Sequence, residues 1–210
     1  MHVPDGFLSP AITLPAWGAA GPLWYWSARR SFGASVAERL PVMGALTALA
    51  FVVQSIMIPV PGGTSIHITG AAVLAIVFNP GVAFACESLV LLLQAVLLGA
   101  GGITVLGVNA LAMGLLGPAV AWLVDRGLRR HSGRVAAFAG AYLGLQAATL
   151  GLSLVLGLQH HLSPAYMPVP FPVTLAAMMV PSLAVTGVVE GLYTVATLAL
   201  LRKARLLDPA

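Results

Sequence analysis

Seven apolar runs, separated by short polar or glycine- and proline-rich breaks, account for most of this chain. They cover about residues 8–28, 40–58, 67–79, 82–98, 106–124, 135–158 and 173–201. A helix needs roughly 17 to 25 apolar residues to cross a bilayer, and all but the third run reach that length. The third, roughly thirteen residues at about 1.5 Å each, falls short of a hydrocarbon core about 30 Å thick. It must tilt little, begin inside the preceding loop or stop within the bundle. Charge scarcity agrees with this reading: 59% of residues are hydrophobic and 8% charged, with a mean hydropathy of +0.97, where a soluble domain carries about 25% charged residues. The expected fold is an all-α integral membrane protein with about seven transmembrane helices, forming one domain over residues 1–210.

The basic residues set the expected orientation. Every Lys and Arg falls in one of three places: Arg29, Arg30 and Arg39; Arg126, Arg129, Arg130 and Arg134; Arg202, Lys203 and Arg205. In a seven-helix count these lie on one side, which the positive-inside rule makes cytoplasmic. The net charge of +4 is thereby explained without nucleic acid. The basic loop 125–134 and the carboxyl terminus then face the cytoplasm. The amino terminus and the loops 59–66, 99–105 and 159–172 face outward. No cleavable signal peptide is expected, since the first residues lack a basic region and include Asp5. Met1 should be retained because His2 is large.

An amino-terminal amine followed directly by histidine is a preformed chelator. The Met1 amine, the His2 backbone nitrogen and His2 Nδ1 can close fused five- and six-membered rings on one ion if the amide is deprotonated. Nickel(II) and copper(II) favour such tetragonal nitrogen sites and cobalt(II) can use them, whereas magnesium and calcium prefer oxygen. One in-plane position remains open, and His67 in Ser65-Ile66-His67-Ile68-Thr69-Gly70 is the candidate to fill it. It sits at the outer end of its run, on the same face of the membrane as Met1 and His2. The solitary Cys86 excludes an intrachain disulfide and a thiolate-rich site.

Met1-His2-Val3-Pro4-Asp5-Gly6-Phe7-Leu8-Ser9-Pro10 resembles the amino-terminal signature of the CbiM/NikM family, the substrate-binding membrane components of energy-coupling-factor nickel and cobalt transporters. His67-Ile68-Thr69-Gly70 resembles the family's second histidine motif. Gln94–Leu98 with Gly101–Asn109 is similar to its central loop and following helix, and Glu190-Gly191-Leu192 to its last-helix motif. The resemblance implies a six-helix core plus one extra amino-terminal helix, with the terminus (residues 1–10) folded back to present the metal beside the outer loop and second motif, residues 59–70. It places the Met1 amine, the His2 amide nitrogen and the imidazoles of His2 and His67 around one divalent ion. It also implies a transmembrane coupling subunit, cytoplasmic ATPase subunits and, in some systems, a small accessory membrane subunit. Cobalt-associated relatives often carry His-Pro-Thr-Gly, and Ile68 departs from that form toward nickel. The Irving–Williams order also favours nickel for the same ligands.

Glu87, Gln94, Asn109 and Glu190 fall within predicted spans, where polar groups are costly and face the bundle interior. Glu87 and Gln94, about two turns apart, can share a face. Ser65, Glu87, Gln94 and Asn109 are candidates to support the site: either Glu can orient an imidazole, while Gln94 and Asn109 serve either the site or interhelical hydrogen bonding. Glu190 is better read as structural. His160 and His161 share an outer loop with Met167 and read as a solvated pair, and His131 lies among arginines. The stripe Ala136, Gly140, Gly144, Ala148 offers a smooth surface to another helix. Briefer stripes pair Ala16 with Ala20, Gly44 with Ala48 and Ala71 with Ala75.

An enzyme is disfavoured: H-E-x-x-H, G-x-S-x-G and G-x-x-x-x-G-K-[ST] are all missing from the sequence. No cofactor is expected, the metal being the transported substrate, and any ATP hydrolysis belongs to partners. The rival reading is a vitamin-binding component of the same transporter class, or another membrane transport or channel protein. Such a protein would be indifferent to its first two residues.

Overall fold

The computed structural model describes residues 2–31, 39–60 and 64–207. Among them run seven helical rods: α1 (Pro10–Ser31), α2 (Leu40–Gln54), α3 (Ala71–Val77), α4 (Pro80–Leu97), α5 (Leu106–Leu128), α6 (Gly133–Leu162) and α7 (Phe171–Lys203). The segment starts follow local chemistry. The Asn79 side chain accepts a hydrogen bond from the Val82 N–H while Pro80 occupies the first turn of α4, and Ser132 accepts from Val135 N–H at the start of α6. Both α5 and α7 contain a π-helical stretch, Ala110–Leu116 and Ser182–Thr186. Each stretch lies close to a proline, Pro118 or Pro181, that lacks the N–H an uninterrupted α-ladder needs.

The run expected to end at Ile58 stops earlier, and the loop that follows α2 is more regular than its turn residues suggest. Here β1 (Ile58–Val60) and β2 (Thr64–Ile66) pair antiparallel, with Ile58 opposite Ile66 and Pro59 opposite Ser65. The short third run is shorter still as a helix, seven residues from Ala71. His67 to Thr69 are spent on an extended lead-in, and Gly70 adopts φ +70°, the left-handed region open to glycine, to turn the chain into α3.

Leu and Val side chains cover the outside, among them Val52, Leu97, Leu123, Val135, Leu154, Val173 and Leu200, whereas Gln54, Glu87, Gln94, Asn109, Gln159 and Glu190 are buried. That is the reverse of a soluble fold. Four of the rods, α4 to α7, are long and apolar enough to span a bilayer, and the chain is a multi-pass membrane protein. Close backbone approach holds α5 on α6. A Cβ added at Gly140 would lie 2.6 Å from the Ala121 carbonyl oxygen, and one at Gly144 2.6 Å from that of Gly117. The 136/140/144/148 stripe is therefore consumed by packing inside the bundle. Helix α1 lies against α4 and the start of α5, and α7 against α6. Val3 and Leu8 are buried in the same apolar cluster as Phe84, Leu106, Met113 and Leu156, so residues 2–9 run into the bundle rather than away from it.

Candidate metal centre

Residues 2–9 precede α1 without regular structure, and side chains from distant elements hold their backbone. Asn109, at the end of the first turn of α5, meets Val3 as a strand would: the Val3 N–H donates to Asn109 Oδ1 and Asn109 Nδ2 donates to the Val3 carbonyl, both at 3.0 Å. The Asp5 carboxylate accepts the N–H groups of Ile103 (3.1 Å) and Thr104 (3.0 Å), and the Thr104 hydroxyl also donates to it. The Ser9 N–H and hydroxyl both donate to Gln159 Oε1 of α6. The Gly-rich loop makes room for this. A Cβ on Gly102 would lie 2.1 Å from the Asp5 carboxyl, and one on Gly101, already at φ +77°, would press on Asn109 and His2 at 3.3 Å.

These ties deliver His2 to His67. The two rings stack with centroids 4.6 Å apart and planes 19° from parallel, and both residues are buried. The His67 Nδ1 lies 3.1 Å from the Ile68 carbonyl oxygen and donates to it, which assigns the proton to Nδ1 and leaves Nε2 as a bare lone pair. That Nε2 has no partner, and neither do Nδ1 and Nε2 of His2 or the two amide atoms of Gln94 beside it. Buried polar atoms are otherwise almost always paired. Five unpaired buried polar atoms thus belong to His2, His67 and the neighbouring Gln94. Both histidines precede the helical segments, and burial keeps them neutral: the His2 imidazole is pushed down to about 3, and that of His67 well below the usual histidine range. Neutral imidazole is the form that binds metal.

The remaining candidates divide. Asn109 serves the niche by holding Val3. Gln94 faces His2 and, with Glu87, lies on the buried side of α4. Glu87 does not touch an imidazole; its two oxygens accept from Gln54 Nε2 at 2.7 and 2.9 Å. Met1 and the Ser65 side chain lie outside the described residues. His160 binds the Met167 carbonyl through Nδ1 at 2.8 Å, and Met167 borders a cavity of about 30 Å³ beside His2, together with Phe7, Leu156 and Met178. Sequence reasoning passed over Asp5, Gln54, Thr69 and Gln159. A buried glutamine inside an apolar run is the signal that marks two of them.

Residues 2–206 match the CbiM family, described as the cobalt uptake substrate-specific transmembrane region. The chain belongs to that family. It is 37% identical to MJ1569 of Methanocaldococcus jannaschii, named a candidate metal transport protein, over 98% of this chain and 93% of that one. It is 35% identical to the fused nickel transport protein NikMN of Rhodobacter capsulatus, over 97% of this chain but 62% of the longer fused protein. A crystal structure of a truncated transition metal transporter superposes with a TM-score of 0.92 at 32% identity, covering 97% of this chain and 99% of that one.

Proposed function

We propose that this chain captures nickel(II), with cobalt(II) as the alternative ion, on the outer side of the cell membrane, and serves as the substrate-binding component of an energy-coupling-factor transporter. The observation that carries the reading is the stacked pair His2 and His67 with their unpartnered nitrogens. With ring centroids 4.6 Å apart, the two neutral imidazoles are close enough to serve adjacent corners of one tetragonal ion. Among the described residues no three His, Cys, Asp or Glu side chains converge, so the other donors are assigned to the Met1 amine and the deprotonated His2 amide. Those four nitrogens suit a tetragonal ion. With the ion bound, Gln94, which stands beside His2, would accept from His2 Nε2–H and turn Nδ1 toward the metal, as the Ile68 carbonyl holds His67 Nδ1–H and leaves Nε2 free.

The space beside His2 suits an ion there rather than a vitamin. The cavity beside His2 is about 30 Å³, room for roughly one water-sized ligand, where sites for drug-sized organic molecules occupy about 300–1,000 Å³. Transport is assigned to partners: a transmembrane coupling subunit, ATPases, and in some systems a small accessory membrane subunit. The basic ends of α5 and α7 are assigned to the cytoplasmic side. The deciding experiment titrates protein bearing an untagged amino terminus with nickel and cobalt in competition, and assays the purified chain for ATP hydrolysis. Tight binding of nickel over cobalt, with the absorption of planar nickel(II) and no ATPase activity, is the expected result. No high-affinity metal binding, or sustained ATP hydrolysis by the chain alone, overturns it.

A further inference from the structure

A carboxylate lies buried in the last helix, α7, apart from the stacked histidines. Glu190 is fully buried, and among the described residues no basic side chain pairs with it. Its partners are all donors on the segment that follows His67. Oε2 accepts from the Thr69 N–H at 2.6 Å, and Oε1 accepts from the Thr69 hydroxyl and the Gly70 N–H, both at 3.0 Å. The same segment is held from the other side by Gln54 of α2, whose Nε2 donates to the Thr69 carbonyl at 2.8 Å and to Glu87. The Thr69 hydroxyl oxygen accepts in turn from the Ala71 N–H at 3.3 Å. Every polar group of Thr69 is thus engaged, two residues from the His67 ring.

We propose that Glu190 is a positioning residue for His67: it fastens the Thr69–Gly70 backbone to α7 and so sets where the His67 imidazole meets the metal. This rests on the metal-centre reading. Three converging donors require a group that only accepts. A carboxylate does, whereas a glutamine would turn an NH₂ toward at least one donor and lose that contact. Packing alone does not account for the arrangement, because a residue that merely filled space in α7 would not need both oxygens aimed at one loop. The consequence concerns release. His2 hangs from α5 and α6 through Asn109 and Gln159, while His67 hangs from α7 and α2 through Glu190 and Gln54. A displacement of α7 along α6, on which it packs, would carry the Thr69–Gly70 segment and His67 away from His2, a route from a movement of the last helix to loss of the ion.

The test compares nickel binding by wild type, Glu190→Gln, Thr69→Val and His67→Ala, each full-length with a free amino terminus. Helical content and thermal unfolding of the metal-free proteins are measured alongside. Glu190→Gln is expected to weaken nickel binding about 10- to 100-fold, the usual range for groups that orient a ligating imidazole, and to shift the visible nickel spectrum toward that of His67→Ala. Thr69→Val, which removes one of the three contacts and keeps the carboxylate, is expected to move both readouts less and in the same direction. It keeps the test decisive if Glu190→Gln does not fold. A purely structural role predicts lowered unfolding temperature with wild-type affinity and spectrum in the folded protein, and that result in either folded variant overturns the proposal. Failure of wild type to bind nickel overturns instead the reading on which the proposal rests.

Discussion

Residues 2–9 and residues 67–70 each bring one imidazole to the same point, but they are held there by different means. The second segment is fastened by Gln54 and Glu190 from helices on either side of it, through contacts that are all buried. The first is held partly by buried contacts, Asn109 on Val3 and Gln159 on Ser9, and partly by the exposed contacts of Asp5 with Ile103 and Thr104. Between the two segments sit the only buried imidazole nitrogens without a partner among the described residues. The lesson is a division of labour. Paired polar groups hold both segments, and the unpaired imidazole nitrogens lie between them, where the proposed ion would bind.

The largest effect expected falls on the donors themselves. Replacing His2 or His67 with Ala should abolish high-affinity nickel binding while leaving helical content unchanged, as titration and circular dichroism would register. Placing one Gly before Met1 should do the same, because it moves the amine one residue away from His2 and out of the proposed chelate. Unchanged affinity in the extended protein would remove the amine from the coordination shell and leave a histidine-only site.

Next comes the frame of the amino-terminal half. Asn109→Leu deletes two buried hydrogen bonds to Val3, at about 1 kcal/mol each. Nickel affinity should fall roughly 10- to 30-fold, and protease susceptibility of residues 2–9 should rise while the 67–70 segment stays protected. Equal exposure of both segments would mean that they are not separately held. Gln94→Leu should weaken nickel binding by about tenfold, with little change in protease susceptibility, because the glutamine is assigned to orient His2 rather than hold the chain. The smallest effect is expected at Asp5→Asn. The substituted amide still accepts at one oxygen and its contacts are exposed, so affinity should fall only a fewfold and appear mainly as faster metal dissociation in stopped-flow chelator exchange. A loss as large as that of Asn109→Leu would break the contrast between buried and exposed ties.

Much of this architecture could be read along the chain. Apolar runs of spanning length dictated the rods because lipid allows few other solutions, and their periods of charge and glycine marked the ends of α1, α4, α5 and α6 within a few residues. Local chemistry named His2 and His67 as candidates, and the fold brings their rings together. The hairpin at 58–66 and the brevity of α3 were not legible, since a short apolar stretch with Pro and Gly reads equally as turn or helix end. Glu87 was placed as a possible support for an imidazole, and the fold gives it to Gln54 instead.

The chain carries the parts in plain order: helices for a bilayer, a histidine next to the amino terminus, a second histidine and a handful of polar residues too costly to sit in lipid without partners. Which of those polar residues meet follows only from packing. Asn109 and Val3, Glu190 and Thr69, Gln159 and Ser9 are each separated by more than a hundred residues, and hydrogen-bond pairing across such distances follows from helix packing rather than from any local pattern. The same packing stacked His2 on His67. A pair of imidazoles so far apart along the chain becomes one niche only when the bundle has closed around it.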